Sequence, residues 1–216
     1  MRLRNIPGAV EYIAESEFTV DETSENKGNW CNNIFHNDNP LHIEIGMGKG
    51  KFITELAQNN PDVNYIGMDL YASVLIKAVH KLEEHPLDNI RFMRTDALRL
   101  CEYFGSEEIS KIYLNFSDPW PKDRHAKRRL TSPRFLQVYH DIIKHDGSLE
   151  FKTDNTSLFD YSLETINESD LWELCEYTYD LHNEPKLNEG NIMTEYEAKF
   201  SANGNPIHKL IAKPVF

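Results

Sequence analysis

The chain has 216 residues, of which 40% are hydrophobic, 11% aromatic and 27% charged. This composition excludes disordered and fibrous proteins, and the length suits one domain over residues 1–216. The net charge of −12 argues against a protein that coats nucleic acid through a general surplus of Lys and Arg.

Targeting and metal-binding signals are missing from the sequence. The first 20 residues hold no apolar segment, and no apolar run reaches membrane-spanning length. The cysteines Cys31, Cys101 and Cys175 fit neither a disulfide framework nor a metal site, and the nine histidines show no ligand spacing. We therefore expect a cytoplasmic protein that binds no metal and no membrane.

From Leu41 onwards, short apolar runs alternate with longer amphipathic ones, which is typical of successive βα units around a mainly parallel sheet. Strands are predicted at 41–45, 63–68, 90–94, 111–116, 148–152, 172–179 and 207–213. Helices are predicted at 50–59, 72–84, 97–104, 133–144 and 195–201. Residues 1–40 are predicted to form an N-terminal approach segment, and residues 182–195 a long substrate-side loop.

A glycine-rich turn at 46–50 follows the first predicted strand. Gly46 and Gly48 allow the backbone to approach a ligand closely. A dinucleotide fingerprint would need its third glycine at the position of Lys51, so the spacing is one residue too short. Glu44 would repel a pyrophosphate but attract a sulfonium and an ammonium group. The turn therefore favours S-adenosyl-L-methionine over a nicotinamide cofactor.

Acidic residues also follow the next three predicted strands. Asp69 is placed to accept from ribose hydroxyls, Asp96 from an adenine amino group, and Asp118 lies between the strand and two prolines that fix the backbone. Any one of these residues could be an ordinary helix cap. Because they recur after successive strands, we expect them to meet at one edge of the sheet.

A basic strip follows this last turn. Residues 122–134 contain six Lys or Arg and one acid, Asp123. An acidic protein with one basic strip is expected to bind a polyanion in one place and orientation. Two roles are open for Trp120, which precedes the strip: it stacks on a base or it fills the core.

Four sequence motifs together resemble one enzyme family. They are N-F-S-D-P-W-P-K at 115–122, R-H-A-K-R-R at 124–129, F-K-T-D-N at 151–155 and G-N-I-M-T-E-Y-E-A-K-F at 190–200. With the glycine-rich turn, they resemble the bacterial tRNA (guanine-N7-)-methyltransferase (TrmB) family. The resemblance implies an α/β class I methyltransferase fold: a Rossmann-like three-layer sandwich with a seven-stranded, mostly parallel sheet and an antiparallel last strand. It also implies methylation of the guanine at tRNA position 46.

The resemblance also implies roles for individual residues. Asp118 would be catalytic. The cofactor-binding residues would be Glu44, Gly46, Gly48, Asp69, Asp96 and Asp118. The substrate-binding residues would be Lys122, Asp154, Thr194, Glu195, Tyr196 and Glu197. The RNA-binding residues would be Arg124, Lys127, Arg128 and Arg129. The family usually has Glu where this chain has Asp69, so the ribose contact is expected to lengthen or to pass through water.

The expected chemistry agrees with these roles. N7 of guanine has a free lone pair, so methyl transfer needs orientation rather than a general base. The product base is cationic, and Asp118 and Asp154 can stabilise that charge. Two plainer interpretations remain open at this stage: Asp154 caps a helix over 155–167, and Thr194 caps the next one.

Two other functions are compatible with the sequence. The S-D-P-W motif at 117–120 is similar to the Asp/Asn-Pro-Pro-aromatic motif of enzymes that methylate exocyclic amino groups of nucleic acids. A tRNA-binding protein that has lost catalysis would also keep the fold. The sequence does not distinguish a monomer from a homodimer.

Overall fold

One sheet of eight strands organises the computed structural model, which describes residues 6–216. The strands are β1 Thr19–Val20, β2 Leu41–Ile45, β3 Asn64–Asp69, β4 Ile90–Arg94, β5 Ile109–Asn115, β6 Ile143–Thr153, β7 Trp172–Thr178 and β8 His208–Pro214. Their order is β1-β4-β3-β2-β5-β6-β8-β7. Strands β1 to β6 pair in parallel, and β8 is antiparallel to both of its neighbours. The predicted fold class is confirmed, with one strand more than the expected seven.

Helices cover both faces of the sheet. They are α1 Ala9–Glu15, α2 Lys51–Asn59, α3 Ala72–Glu84, α4 Leu100–Tyr103, α5 Pro133–Ile142, α6 Thr156–Asn167, α7 Pro185–Asn188 and α8 Glu195–Ala202. Helices α1, α2 and α3 share one apolar cluster with Tyr65 and Phe92 of the sheet. Helices α4, α5 and α6 pack in a second cluster with Ile66 and Met93. Adjacent residues of β3 and β4 thus face opposite layers, as strand geometry requires.

The N-terminal segment is part of the packed structure over its described residues. Ala9 and Ile13 of α1 are buried against α3, and Thr19 of β1 pairs with Phe92. Trp30 is fully buried, and its indole N–H donates to the Tyr103 carbonyl at 2.9 Å. The predicted approach segment 1–40 therefore anchors to the sheet from residue 6 onwards, and its first five residues lie outside the described part.

Several predicted boundaries change in the structure, among them the end of α5, the start of β6 and the extent of the substrate-side loop. Pro133 begins α5 as expected, and the hydroxyl of Ser132 before it donates to the Lys127 carbonyl at 3.2 Å. The helix ends at Ile142, since Ile143 already belongs to β6. The substrate-side loop is also less irregular than predicted, because α7 interrupts it.

Candidate functional site

A cleft of about 900 Å³ opens at the carboxyl ends of β2 to β5. Its lining includes five of the six predicted cofactor-binding residues, on four different connections of the sheet: Gly46, Gly48, Asp69, Asp96 and Asp118. Carboxyl ends of parallel strands are where open α/β sheets bind ligands. The structure therefore brings these acids together around one hollow.

The glycine-rich turn is fastened to the end of β3. The N–H of Gly48 donates to Oδ2 of Asp69 at 3.0 Å, and Gly48 has a φ of 58°, in the left-handed region that favours glycine. Gly50 has a φ of 72°, and a Cβ there would lie 2.9 Å from the Cβ of Ala78 in α3. Glycine at this position lets α2 start directly against α3.

Asp69 and Asp96 both combine a structural contact with a place in the cleft. Oδ1 of Asp69 accepts from the N–H of Tyr71 at 2.9 Å, and burial raises the pKa of this carboxyl. The negative charge of Asp118 raises it further, in keeping with the two acids sharing one site. Asp96 accepts from the N–H of Leu98 at 2.9 Å, so the helix-cap interpretation also holds for Asp96.

Glu44 occupies a different environment from the other acids. It is 2% exposed and is not among the residues that line the cleft, although its neighbour Ile45 is. Its Oε1 accepts from the side-chain amide of Asn115 at 2.9 Å, whereas its Oε2 has no hydrogen-bond partner among residues 6–216. Burial raises the pKa of Glu44 to about 7. Glu44 is thus a buried carboxylate beside the cleft, with one oxygen free to accept.

The turn that carries Asp118 has a strained backbone. Phe116 and Trp120 have φ values of 51° and 42°, which side-chain-bearing residues rarely adopt and which tend to occur at functional sites. Asp118 lies between them, exposed at the cleft. Trp120 also lines the cleft, with the guanidinium of Arg128 at 4.9 Å from its ring. Trp120 is therefore not a core residue.

The basic strip divides into exposed and structural residues. A 3₁₀ helix over Asp123–Arg128 exposes Arg124, Lys127 and Arg128. Arg129 instead turns inward, where its guanidinium donates to the carbonyls of Pro119 and Trp120 at 3.1 and 3.2 Å. This arginine holds the turn that carries Asp118.

The predicted substrate residues Thr194 to Glu197 separate into two groups. The hydroxyl of Thr194 accepts from the N–H of Glu197 at 2.9 Å and so caps α8, as the plainer interpretation stated. Glu195 pairs with Lys49 of the glycine-rich turn at 2.5 Å, and Glu197 is fully buried. Tyr196 is the member of this group that lines the cleft, 55% exposed.

Asp154 and Lys122 lie outside the set of cleft-lining residues. The side chain of Asn155 caps α6 by accepting from the N–H of Leu158 at 2.8 Å. The interpretation of Asp154 as the helix cap is therefore wrong, and this half-buried carboxylate remains a candidate for substrate contact. Lys122 is exposed next to the 3₁₀ helix.

Two site features were missed by sequence reasoning. The first is a stack of the rings of Phe116, Tyr196 and Phe200, of which Phe116 and Tyr196 line the cleft with centroids 6.4 Å apart. The second feature is Lys152, which is buried and whose carbonyl accepts from the N–H of Phe116 at 2.8 Å. Both Phe116 and Lys152 stand inside motifs that carry the family resemblance, but neither residue type by itself indicates a role in a site.

Comparison with known proteins identifies the family. A family model described as "Putative methyltransferase" matches residues 38–210. A tRNA (guanine-N(7)-)-methyltransferase of Lachnoclostridium phytofermentans is 55% identical over 98% of both chains. One from Bacillus subtilis is 48% identical over 97% of both chains. The chain belongs to the tRNA (guanine-N(7)-)-methyltransferase family.

Solved structures agree on the fold of this family member. The 16S rRNA methyltransferase KamB superposes with a TM-score of 0.65 at 14% identity, over 91% of this chain and 98% of that one. An antibiotic-related methyltransferase gives 0.64 at 19% identity, over 93% and 98%. At such identities the likeness shows the class I methyltransferase fold and nothing finer.

Two properties of the described residues bear on the expected partners. Residues 6–216 contain no helix that is both long and apolar enough to cross a lipid bilayer. Over the same range, no three or more His, Cys, Asp or Glu side chains gather in a way that could hold a metal ion.

Proposed function

We propose that this protein transfers a methyl group from S-adenosyl-L-methionine to N7 of the guanine at position 46 of tRNA, in the cytoplasm. The observation that carries the proposal is the single cleft in which Asp69, Asp96 and Asp118 surround the glycine-rich turn. The relatives that match nearly the whole chain bear the name of this activity.

The residues around the cleft fit S-adenosyl-L-methionine. When bound, this cofactor supplies a methyl group on a positively charged sulfur. Glu44 offers a buried carboxylate oxygen that has no hydrogen-bond partner in the described part of the chain and is suited to a cationic group. Asp69 keeps acceptor capacity for ribose hydroxyls beyond its two backbone contacts, and Asp96 does so for an adenine amino group.

The residues on the other side of the cleft fit a guanine base. Tyr196 and Phe116 present stacked rings at the cleft, and stacking on aromatic side chains is how proteins hold unpaired RNA bases. The carboxylate of Asp118 lies on the same cleft and stabilises the positive charge that moves onto the base. Because N7 has its own lone pair, these residues need to orient the base rather than to remove a proton.

The exposed part of the basic strip would bind the RNA backbone. Arg124, Lys127 and Arg128 follow the Asp118 turn directly, and Arg128 itself lines the cleft. Phosphate contacts at this place would hold the tRNA with one nucleotide at the cleft. Lys122 and Asp154 are assigned to the same substrate surface.

The test is incubation of unmodified bulk tRNA with isotopically labelled cofactor, followed by nucleoside mass spectrometry. We expect label in 7-methylguanosine, and cleavage after reduction and aniline treatment at position 46. Label in N6-methyladenosine would establish the exocyclic-amino activity instead. Absence of cofactor binding in calorimetry, with tRNA binding intact, would identify a protein without catalysis.

A further inference from the structure

A buried lysine joins the sheet to the segment that carries Tyr196. Lys152 of β6 is 3% exposed, and its Nζ makes three hydrogen bonds. It donates to Oδ1 of Asn191 at 3.0 Å, to the carbonyl of Ile192 at 3.0 Å and to Oε2 of Glu197 at 2.6 Å. All three acceptors belong to residues 191–197, so one ammonium group fixes the end of the substrate-side loop and the start of α8.

Glu197 is the centre of this anchor. It is fully buried, and its second oxygen contacts Nε2 of His182 at 3.0 Å and accepts from Nδ2 of Asn191 at 2.6 Å. Both carboxylate oxygens are therefore occupied within the protein. A carboxylate in this position holds the loop and has little capacity left for a guanine.

The backbone of Lys152 holds the other ring of the aromatic pair. Its carbonyl accepts from the N–H of Phe116 at 2.8 Å, where Phe116 has the strained φ of 51°. The side chain of the same lysine fixes the segment with Tyr196, whose ring lies 19° from parallel to that of Phe116. One residue thus sets the relative position of both rings at the cleft.

We propose that Lys152 is a positioning residue for methyl transfer, which orients Tyr196 against Phe116 through the buried pair with Glu197. This inference rests on the proposed function, because the two rings are taken to hold the target base. It changes the expected role of Glu197 from substrate contact to anchor. Residues 191–197 are also held by Lys49, which pairs with Glu195, and by Lys51, which donates to the Met193 carbonyl at 3.1 Å. Both of these lysines belong to the glycine-rich turn and the start of α2, whereas Lys152 is also bonded to Phe116.

The test compares Lys152→Met with Lys111→Met. Methionine keeps most of the aliphatic side chain and removes the ammonium group. Lys111 of β5 pairs with Glu150 on the same sheet without reaching residues 191–197, so its replacement also breaks an ion pair. Each substitution is made in the wild-type chain and in Tyr196→Ala, and kcat/KM for tRNA is measured together with hydrogen exchange of residues 190–200.

We expect Lys152→Met to lower kcat/KM by about 10- to 100-fold in the wild-type background, as misplacement of a reactant does. In Tyr196→Ala the same change should cost less than about twofold, because contacting residues that act through one another are non-additive. Exchange of residues 190–200 should accelerate in Lys152→Met and not in Lys111→Met.

Equal losses of kcat/KM in both backgrounds, or unchanged exchange of residues 190–200, would overturn the positioning role. If Lys152→Met does not fold, Glu197→Gln replaces it, since glutamine keeps the shape and removes the charge. A wild-type protein that makes another product would refute the proposed function. The anchoring of residues 190–200 by Lys152 would still be decided by hydrogen exchange, because exchange does not depend on which atom is methylated.

Discussion

Glu44 shows how one buried residue connects folding to pH. Its carboxyl is removed from water, and its pKa is raised from 4.5 to about 7 by that burial. The folded protein therefore binds a proton in the window between these values that the unfolded chain releases. Stability from this group is present below about pH 4.5 and is lost as the pH rises through about 7.

Replacing Glu44 with Gln should remove this pH dependence. Glutamine can keep the hydrogen bond to Asn115 and carries no charge to desolvate. Relative to the wild type, the free energy of unfolding of Glu44→Gln should rise by roughly 2–3 kcal/mol between pH 5 and pH 8. Urea unfolding at the two pH values measures it. A constant difference between the two proteins would show that Glu44 is ionised throughout.

Asp118 should be needed for the reaction rather than for the fold. Asp118→Asn preserves shape and removes the negative charge at the cleft, so we expect methylation to fall by about 100- to 1,000-fold, as when an electrostatic contact to the transition state is lost. Binding of tRNA should change less than about twofold, because phosphate contacts dominate its affinity. Asp146→Asn, an exposed carboxylate in β6, is the control. Full activity of Asp118→Asn would remove this residue from the mechanism.

At the scale of secondary-structure elements, the shape of the glycine-rich turn depends on how closely α2 approaches α3. Helix α2 begins at Lys51, immediately after the glycine-rich turn, and Gly50 meets Ala78 of α3 without room for a side chain. The N–H of Thr54 in α2 donates to the carbonyl of Gly50 at 3.0 Å. The position of α2 and the shape of the turn are thus set by the same packing contact.

A comparison of Gly50→Ala with Gly204→Ala should isolate that packing contact. Both glycines have positive φ, but a Cβ at Gly204 would meet no atom of residues 6–216 within 4 Å. Backbone strain should cost each variant about 1–2 kcal/mol, whereas overpacking should cost Gly50→Ala a further 1–3 kcal/mol, roughly. Denaturant unfolding of both variants measures the difference. Equal losses of stability would mean that α3 moves away without cost.

At the scale of the molecule, the exposed positive charges beside the cleft are separated from the acidic remainder of the chain. The net charge is −12, yet Arg124, Lys127 and Arg128 are exposed together beside the cleft. The acidic remainder repels a polyanion, so we expect RNA to bind at this one surface. Arg129 differs from these three residues in that its guanidinium donates to two carbonyls of the Asp118 turn.

Salt dependence of tRNA binding should report on this surface. Replacing both Arg124 and Lys127 with Ala should reduce the slope of log affinity against log salt by about two, one for each phosphate contact. The double variant Lys144→Ala and Lys213→Ala is the matched control. Lys144 lies at the start of β6 and Lys213 near the end of the antiparallel β8, at the end of the sheet opposite to the cleft. A slope that falls equally in both double variants would contradict a localised RNA surface.

Arg129→Ala should behave differently from the exposed bases. It removes the two hydrogen bonds to the Asp118 turn, so we expect lower thermal stability and lower kcat, with little change in the salt slope. A thermal melt and single-turnover methylation measure these effects. A reduced salt slope with unchanged stability would return Arg129 to the RNA-binding group.

Much of the architecture follows from the sequence alone. Alternating apolar runs predict the seven strands from β2 to β8 because burial of a strand between two helical layers requires a continuous apolar segment. The glycines and the acids after successive strands predict the cleft, since parallel strands place their carboxyl ends at one edge. The motifs shared with the family predict its membership, which the relatives confirm.

Other features were decided only by tertiary structure. The two residues of β1 carry too little pattern to predict a strand, and they pair because α1 packs on α3. Glu44 and Asp69 are both acids at strand ends, but only the direction of each side chain leaves one buried and the other at the cleft. Neighbouring residues differ in the same way: Glu195 pairs with Lys49, Tyr196 lines the cleft and Glu197 pairs with the buried Lys152. A sequence records which groups are present, whereas the fold decides which of them meet and which remain in contact with water.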